Sequence, residues 1–173
     1  VDGTLTLVGG TELAAGDDVM MTAGALVLAD RDGSAGANSI TADDTVRIAT
    51  VDGILVGEDA SIGAGFQVVT LSGGDLVMRE GAEIFADELV DLTAANVVID
   101  TVTAYGGTSS SSSAEKAYYT TLGVVRIRAT DGSITVNADD TDLDIIADEV
   151  YLSAVSGIGV NPIPEGVAAS IDI

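Results

Sequence analysis

The sequence predicts an all-β fold, a right-handed parallel β-helix that winds as a triangular β-solenoid. A short alternating apolar pattern returns about every 22 residues, which is typical of stacked coils. No stretch shows the 3.6-residue periodicity of an amphipathic helix. The composition agrees, with 21 Gly, 2 Pro and 3% aromatic residues. We expect a single solenoid over residues 1–173, with about three strands per coil and about six to seven coils, because short strands bury their apolar faces only between copies of themselves. The handedness follows from the general rule for parallel crossovers.

The first strand of each predicted coil begins with valine, has an aliphatic residue two positions later and ends in small residues. Its leading valines are Val19, Val46, Val69, Val90, Val125 and Val150. Because the side-chain period of a strand is two, the residue after each valine points outward. The predicted outward column is therefore Met20, Arg47, Thr70, Asp91, Arg126 and Tyr151.

The second strand of each predicted coil follows a glycine and again alternates apolar residues with others. Clear copies begin at Gly3, Gly24, Gly74 and Gly132, and looser ones at Gly53, Asn96 and Gly157. Glycine suits a corner because it adopts positive φ without a steric penalty. The glycines therefore predict a turn between the first and the second strand.

The third strand of each predicted coil reads Ile or Leu, then any residue, then Ala, and an acidic corner follows it. Copies begin at Leu13, Ile40, Ile62, Ile84 and Ile145. The candidate metal ligands at the corner are Asp17, Asp18, Asp43, Asp44, Asp87, Glu88, Asp148 and Glu149. Carboxylates one strand spacing apart repel one another, and oxygen-bound Ca²⁺ would relieve that repulsion. The alternative, which the pattern favours, is a solvated charged corner, since the glycine-rich nonapeptide of calcium-binding β-rolls is absent.

Residues 105–121 interrupt the rhythm as a Ser-rich insertion. Five consecutive serines lie between Tyr105 on one side and Tyr118 and Tyr119 on the other. Segments rich in serine and glycine are flexible and form no packed core. One interpretation is an interaction loop that makes aromatic contacts through the three tyrosines. The other, which the pattern favours, is a tolerated insertion on the outside of the rod.

The charge balance restricts the partners of this chain. Its net charge is −22, from 28 acidic and 6 basic residues. Only Arg126 and Arg128 lie together on one predicted strand face. Nucleic acids and anionic membrane surfaces need clustered cations, so neither is an expected partner. No apolar run is long enough to cross a bilayer, so membrane insertion is not expected either.

The composition also argues against an enzyme. The chain contains no Cys and no His, which excludes thiol nucleophiles, Cys/His zinc sites and Ser-His-Asp triads. Parallel β-helices that cleave polysaccharides need paired carboxylates, or Ca²⁺ with a basic proton acceptor. Basic residues are few and form no such constellation with acids. We therefore expect no catalytic residues and no cofactor, with Ca²⁺ as the one candidate ion.

Several stretches resemble the repeats of filamentous-haemagglutinin-like bacterial exoproteins, namely Gly74–Met78, Ala86–Ala94 and Ala147–Gly159. The resemblance lies in the repetition, since each motif is degenerate. Members of that family are giant β-solenoid surface proteins, often exported by two-partner secretion. The resemblance implies an extracellular location at the bacterial cell surface. It also implies a stiff shaft that serves adhesion, fibre formation or biofilm structure.

The expected function is therefore that of a structural extracellular protein, a shaft or filament subunit. Both predicted end segments are strand-like and uncapped, so we expect continuation, either within a longer chain or end to end with copies of itself. Surface glycans or receptors are further candidate partners. The alternative function is a calcium-dependent carbohydrate-binding or polysaccharide-cleaving parallel β-helix.

Overall fold

The computed structural model of the protein describes residues 2–30, 36–109, 119–136 and 144–159, with the backbone alone at 107–109 and 119–121. The described chain is all-β. Its strands are β1 (Thr4–Leu7), β2 (Glu12–Ala15), β3 (Val19–Leu28), β4 (Ser39–Ala42), β5 (Thr45–Val56), β6 (Ser61–Ala64), β7 (Gln67–Ser72), β8 (Asp75–Met78), β9 (Glu83–Ala86), β10 (Leu89–Ala94), β11 (Val97–Ile99), β12 (Thr101–Ala104), β13 (Gly107–Ser109), β14 (Tyr119–Thr121), β15 (Val124–Ala129), β16 (Ser133–Val136), β17 (Ile145–Ile146), β18 (Glu149–Ala154) and β19 (Gly157–Ile158). Within these residues no helix is long and apolar enough to cross a membrane.

The largest sheet is nearly closed. It contains 11 strands, and its main path runs β18-β15-β10-β7-β5-β8-β11-β16-β19, with β1 and β3 joining beside β5. The first half of β5 pairs with β7 and its second half with β8, so the path doubles back at this strand. The two ends of the path, β18 and β19, are also neighbours in the chain, separated only by Val155 and Ser156. A second sheet of 6 strands runs β17-β12-β9-β6-β4-β2.

The predicted triangular β-solenoid, with three strands per coil and six to seven coils, is wrong. The predicted first and second strands belong to one nearly closed sheet instead of two separate ones. Gly24 lies inside the 10-residue strand β3 and Gly53 inside the 12-residue strand β5, where the prediction placed corners. The register between β3 and β5 shifts at Gly24, between Ala23 and Ala25. A glycine there lets the strand bend close to its neighbour without ending, since a Cβ on Gly24 would lie 3.2 Å from the carbonyl oxygen of Gly3.

The repeat-like stacking of parallel strands is confirmed. The leading valines stack on one another through five strand pairs, Val19 on Val46, Val46 on Val68, Val68 on Val90, Val90 on Val125 and Val125 on Val150. The prediction chose Val69 in place of Val68. A shift of one residue moves every side chain to the other face. Val69 therefore belongs to the outward column, and Thr70, predicted outward, is 1% exposed and faces the core.

Aliphatic columns fill the space between the two sheets. Five inward residues of the second sheet have no exposed surface, namely Ile40, Ile62, Ile84, Val102 and Ile145. The register stacks them directly on one another. The sequence motif missed β12, because Val102 stands where the other copies carry isoleucine or leucine. The columns are continuous through the described residues, which explains how such short strands are stable.

The predicted insertion coincides with a change of strand direction. β13 and β14 form a separate antiparallel pair, whereas the other described pairs are parallel. Residues 110–118 lie outside the described residues. The described ends of the insertion, β13 and β14, therefore pair with each other and with neither large sheet.

Candidate functional site

The acidic corner follows the strands of the second sheet. Backbone hydrogen bonds join successive segments of this corner. The Asp44 amide donates to the Asp17 carbonyl at 3.1 Å, and the Phe66 amide donates to the Asp44 carbonyl at 2.9 Å. They continue from the Glu88 amide to the Phe66 carbonyl at 3.0 Å. The predicted acids therefore share one edge of the molecule. Phe66 lies between the acids that precede it along this edge, Asp17 and Asp44, and Glu88, which follows it.

Only part of the predicted ligand set converges among the described residues. The carboxylate oxygens of Asp17, Asp18 and Asp44 lie within 4.8 Å of one another, and all three residues are exposed. The remaining candidates stand outside this cluster, namely Asp43, Asp87, Glu88, Asp148 and Glu149. The corner thus offers one group of three carboxylates instead of a continuous row.

Two of the corner carboxylates bind backbone amides of a neighbouring strand or corner. Asp18 Oδ1 accepts a hydrogen bond from the Thr45 amide at 3.2 Å. Asp148 Oδ2 accepts one from the Gly123 amide at 2.9 Å. Such bonds satisfy amides at the point where a strand begins, so these two acids have a structural use that needs no metal.

The predicted interaction tyrosines are only partly described. Tyr105 is 58% exposed, its hydroxyl donates to Glu83 Oε1 at 3.5 Å, and its ring meets the edge of Phe85 at 6.4 Å between centroids. Burial, followed by the negative charge and hydrogen bond of Glu83, raises the pKa of Tyr105. Tyr118 lies outside the described residues, and Tyr119 is described only as backbone in β14.

Phe85 owes its position to a glycine on the neighbouring strand. A Cβ on Gly63 would lie 2.1 Å from Phe85 Cζ, so the ring occupies the space above the glycine. The two residues are register partners in β6 and β9. The sequence motifs did not indicate the pairing of Phe85 with Tyr105, although the repeat places Gly63 directly beneath Phe85.

A groove of about 600 Å³ lies along β10, β15 and β18, and its lining combines outward residues of these strands with Ile127, Val150 and Leu152, which face the core. The register places Asp91, Arg126 and Tyr151 in one outward column of this face. Arg128 lies in the adjacent column, with Thr93 and Ser153 as its register partners. We name the surface formed by these six residues the arginine groove.

The polar groups of the arginine groove are held in place by direct contacts. The guanidinium carbon of Arg126 lies 5.6 Å from the centroid of the Tyr151 ring, which is the geometry of a cation–π contact. The Tyr151 hydroxyl donates to Glu149 Oε2 at 2.8 Å. This hydrogen bond, followed by the charge of Glu149, raises the pKa of Tyr151. The sequence placed Asp91, Arg126 and Tyr151 in one column, but it did not indicate a groove.

No protein-family model, curated protein or solved structure matches the chain. The resemblance to filamentous-haemagglutinin-like exoproteins therefore stays a prediction from the motifs. The fold and the site define an all-β protein of stacked parallel strands, with an acidic corner on one edge and an arginine groove on one face.

Proposed function

We propose that this protein is a structural extracellular protein of the bacterial cell surface, whose copies stack end to end into a stiff shaft or filament. The observation that carries the proposal is the incomplete burial of inward side chains at both ends of the described stack. Leu5 and Leu7 in β1 are only partly buried, whereas their register partners Leu26 and Leu28 have no exposed surface.

The opposite end of the stack repeats this situation. Val150 and Leu152 in β18 are partly buried, whereas their partners Val125 and Ile127 on β15 are at most 1% exposed. Removing apolar surface from water is favourable by about 25 cal/mol per Å². A further layer of strands at either end would therefore bury the end side chains, as the side chains in the middle of the stack are already buried.

The end strands also offer backbone pairing. Among the described residues, β1 pairs only with β3, β2 only with β4, β17 only with β12 and β18 only with β15. An unpaired strand edge presents amides and carbonyls that a strand of another chain can complete. Both ends carry parallel strands with the same two-residue alternation, so a second copy continues the stack with its apolar side chains facing inward.

The charge of −22 complements this mode of association. Strong charge of one sign on the flanks keeps neighbouring rods apart. End contacts are short-ranged and apolar, so they persist where lateral contacts are repelled. The proposal thus describes filaments that lengthen without bundling, and it includes no catalytic activity.

The test uses variants that block one end each. Leu152→Lys places a charge at the β18 end, and Leu7→Lys places one at the β1 end. Ser153→Lys is the matched control, because Ser153 is exposed on the same strand and points outward. Sedimentation and electron microscopy should show rods that lengthen with concentration for the wild type and for Ser153→Lys, and monomers for each blocked variant.

Mixing the two blocked variants makes the test sharper. Each keeps one intact end, so the mixture should form dimers and nothing longer. Circular dichroism identifies any variant that has lost its fold. A wild-type chain that sediments as a monomer at every concentration, with end strands protected from hydrogen exchange, overturns the proposal.

A second candidate function is calcium-dependent carbohydrate binding or cleavage, which the convergence of Asp17, Asp18 and Asp44 favours. Three carboxylates of this kind supply some of the oxygen ligands that Ca²⁺ takes. This function requires that chelator lowers the melting temperature of the wild type but not of Asp44→Asn. It also requires loss of polysaccharide binding or cleavage in the chelated protein. An unchanged melting temperature leaves the acidic corner as a solvated charged edge.

A further inference from the structure

We propose that the arginine groove binds a carboxylated sugar, such as a uronic acid unit of an acidic polysaccharide. This inference goes beyond the structural role, and it needs neither assembly into filaments nor a metal ion at the acidic corner. It starts from the position of two arginines in a chain that has 6 basic residues in total.

Arg126 and Arg128 are exposed on the same face of β15, two residues apart. Arg79, by contrast, forms an ion pair with Asp30. The Cα atoms of two residues with this spacing on a strand lie about 7 Å apart, so the two arginine side chains project from neighbouring points of one face. A single carboxylate bound between them can pair with both cations.

The guanidinium of Arg126 is positioned by an aromatic ring on the neighbouring strand. Its central carbon lies 5.6 Å from the centroid of the Tyr151 ring, and Arg126 is exposed on β15. The N–H edge of a guanidinium matches the two oxygens of a carboxylate in a bidentate pair. Because the ring is itself fixed by the Glu149 hydrogen bond, little ordering remains for a ligand to impose.

The remaining groups of the arginine groove suit a sugar better than a polyanion. Two arginines lie near two acids, Asp91 in the groove and Glu149 beside Tyr151, so the local charge is nearly balanced. A phosphate-rich polymer would meet these acids repeatedly, whereas a uronic acid brings one carboxylate and several hydroxyls. Thr93 and Ser153, the register partners of Arg128, offer hydroxyls that both donate and accept.

Tyr151 supplies the apolar component that sugar recognition needs. Tyr151 is 53% exposed, so part of the residue is open to a ligand. Aromatic rings pack against the C–H faces of flat molecules, and their polar ends bond to groups at the margin. The arginine groove thus combines one aromatic surface, two cations and two hydroxyls within about 600 Å³, which is a common size for a ligand site.

The test measures binding of two trisaccharides that differ only at C6. The first is β-1,4-linked triglucuronate, and the second is cellotriose, in which each carboxylate is replaced by a hydroxymethyl group. Calorimetric titration of the wild type should show binding of triglucuronate and at least tenfold weaker binding of cellotriose. Arg128→Gln should weaken the triglucuronate affinity about tenfold or more, because it removes a charge-assisted pair.

Arg47→Gln is the matched control, because Arg47 lies in the same outward column but on β5, outside the arginine groove. It should bind triglucuronate as the wild type does. Tyr151→Ala should weaken binding of triglucuronate, and Tyr151→Phe should retain most of it. Equal binding of the two trisaccharides, an equal effect of Arg47→Gln and Arg128→Gln, or no binding of triglucuronate by the folded wild type each overturns the proposal.

Discussion

Thr70 places a hydroxyl in a column that is otherwise aliphatic. It is 1% exposed, stacks between Ile48 and Leu92, and its Oγ1 has no hydrogen-bond partner among the described residues. A buried polar group without a partner destabilises a fold by about 1–3 kcal/mol. Thr50, in the neighbouring column, has its Oγ1 bonded to Ser72 Oγ at 3.1 Å. The two threonines therefore differ in that the hydroxyl of Thr50 has a hydrogen-bond partner and that of Thr70 has none among the described residues.

This contrast predicts opposite effects for the same substitution. Thr70→Val should raise the free energy of unfolding by about 1 kcal/mol or more, because it keeps the volume and removes the unpaired hydroxyl. Thr50→Val should lower it, because Ser72 then loses its partner. Urea denaturation followed by circular dichroism measures both. A Thr70→Val variant no more stable than the wild type would contradict the inward register of this strand.

Tyr105 gives a pH-dependent prediction. Burial and the nearby carboxylate of Glu83 raise its pKa above the usual 10.0, so the protonated phenol is favoured in the folded state. The stabilisation is therefore complete below pH 10 and is lost as the pH rises through the raised pKa. The difference in phenolate absorbance between the wild type and Tyr105→Phe reports this titration.

A variant separates the contribution of Glu83 to the raised pKa of Tyr105 from the other causes. Glu83→Gln should lower the pKa of Tyr105 part of the way, because it removes the charge and leaves the burial. Glu12→Gln is the control, since Glu12 lies far along the same sheet in β2. If Glu83→Gln leaves the titration unchanged, burial and the negative charge of Asp87 explain the raised pKa without Glu83.

At the scale of elements, the sequence predicted the stacked strands better than the corners. Alternating Val, Ile and Leu identify a strand because burial on one face requires that pattern. The same glycine, however, permits both a corner and a bend within a strand, so Gly24 and Gly53 were assigned to corners that the structure does not have. Register failed at Val69 because adjacent valines satisfy the pattern equally well.

For the acidic corner and the arginine groove, the sequence likewise predicted which residues recur but not how their side chains are arranged. The acidic corner was predicted because its residues recur in the repeat, but which carboxylates converge depends on side-chain directions that no pattern encodes. The arginine groove needs β10, β15 and β18 to lie in register across the predicted insertion. Its outward column was visible in the sequence, whereas the contact of the Arg126 guanidinium with the Tyr151 ring required the structure.

Gly123 tests the corner that follows the insertion. A Cβ at this position would lie 2.0 Å from the Ala104 carbonyl oxygen and 2.7 Å from the Gly106 nitrogen, both backbone atoms. Gly123→Ala should therefore lower the free energy of unfolding by about 1–3 kcal/mol, since the backbone has to shift. Gly16→Ala is the matched control, because its Cβ would meet only the Asp43 carboxylate at 3.7 Å. Equal stability of the two variants in urea would contradict this packing.

At the scale of the whole molecule, the net charge of −22 opposes both folding and assembly. Like charges destabilise a compact state through self-repulsion, and 28 acidic residues against 6 basic ones leave most carboxylates without a cationic partner. Added salt screens this repulsion, while it weakens the few attractive pairs only slightly. The folded state should therefore be more stable at high salt than at low salt.

The prediction is that sodium chloride raises the melting temperature of the wild type and lengthens its rods at a fixed protein concentration. Both effects should saturate once the screening length falls below the distance between neighbouring carboxylates. Sucrose at matched osmolarity is the control for exclusion effects, and it should raise the melting temperature without the same dependence on ionic strength. The melting temperature of Leu152→Lys should also rise with salt, but the variant should stay monomeric. Salt does not remove the cost of burying the lysine ammonium in the end contact. Rods that shorten as salt increases would mean that charge attraction, and not apolar burial, holds the ends together.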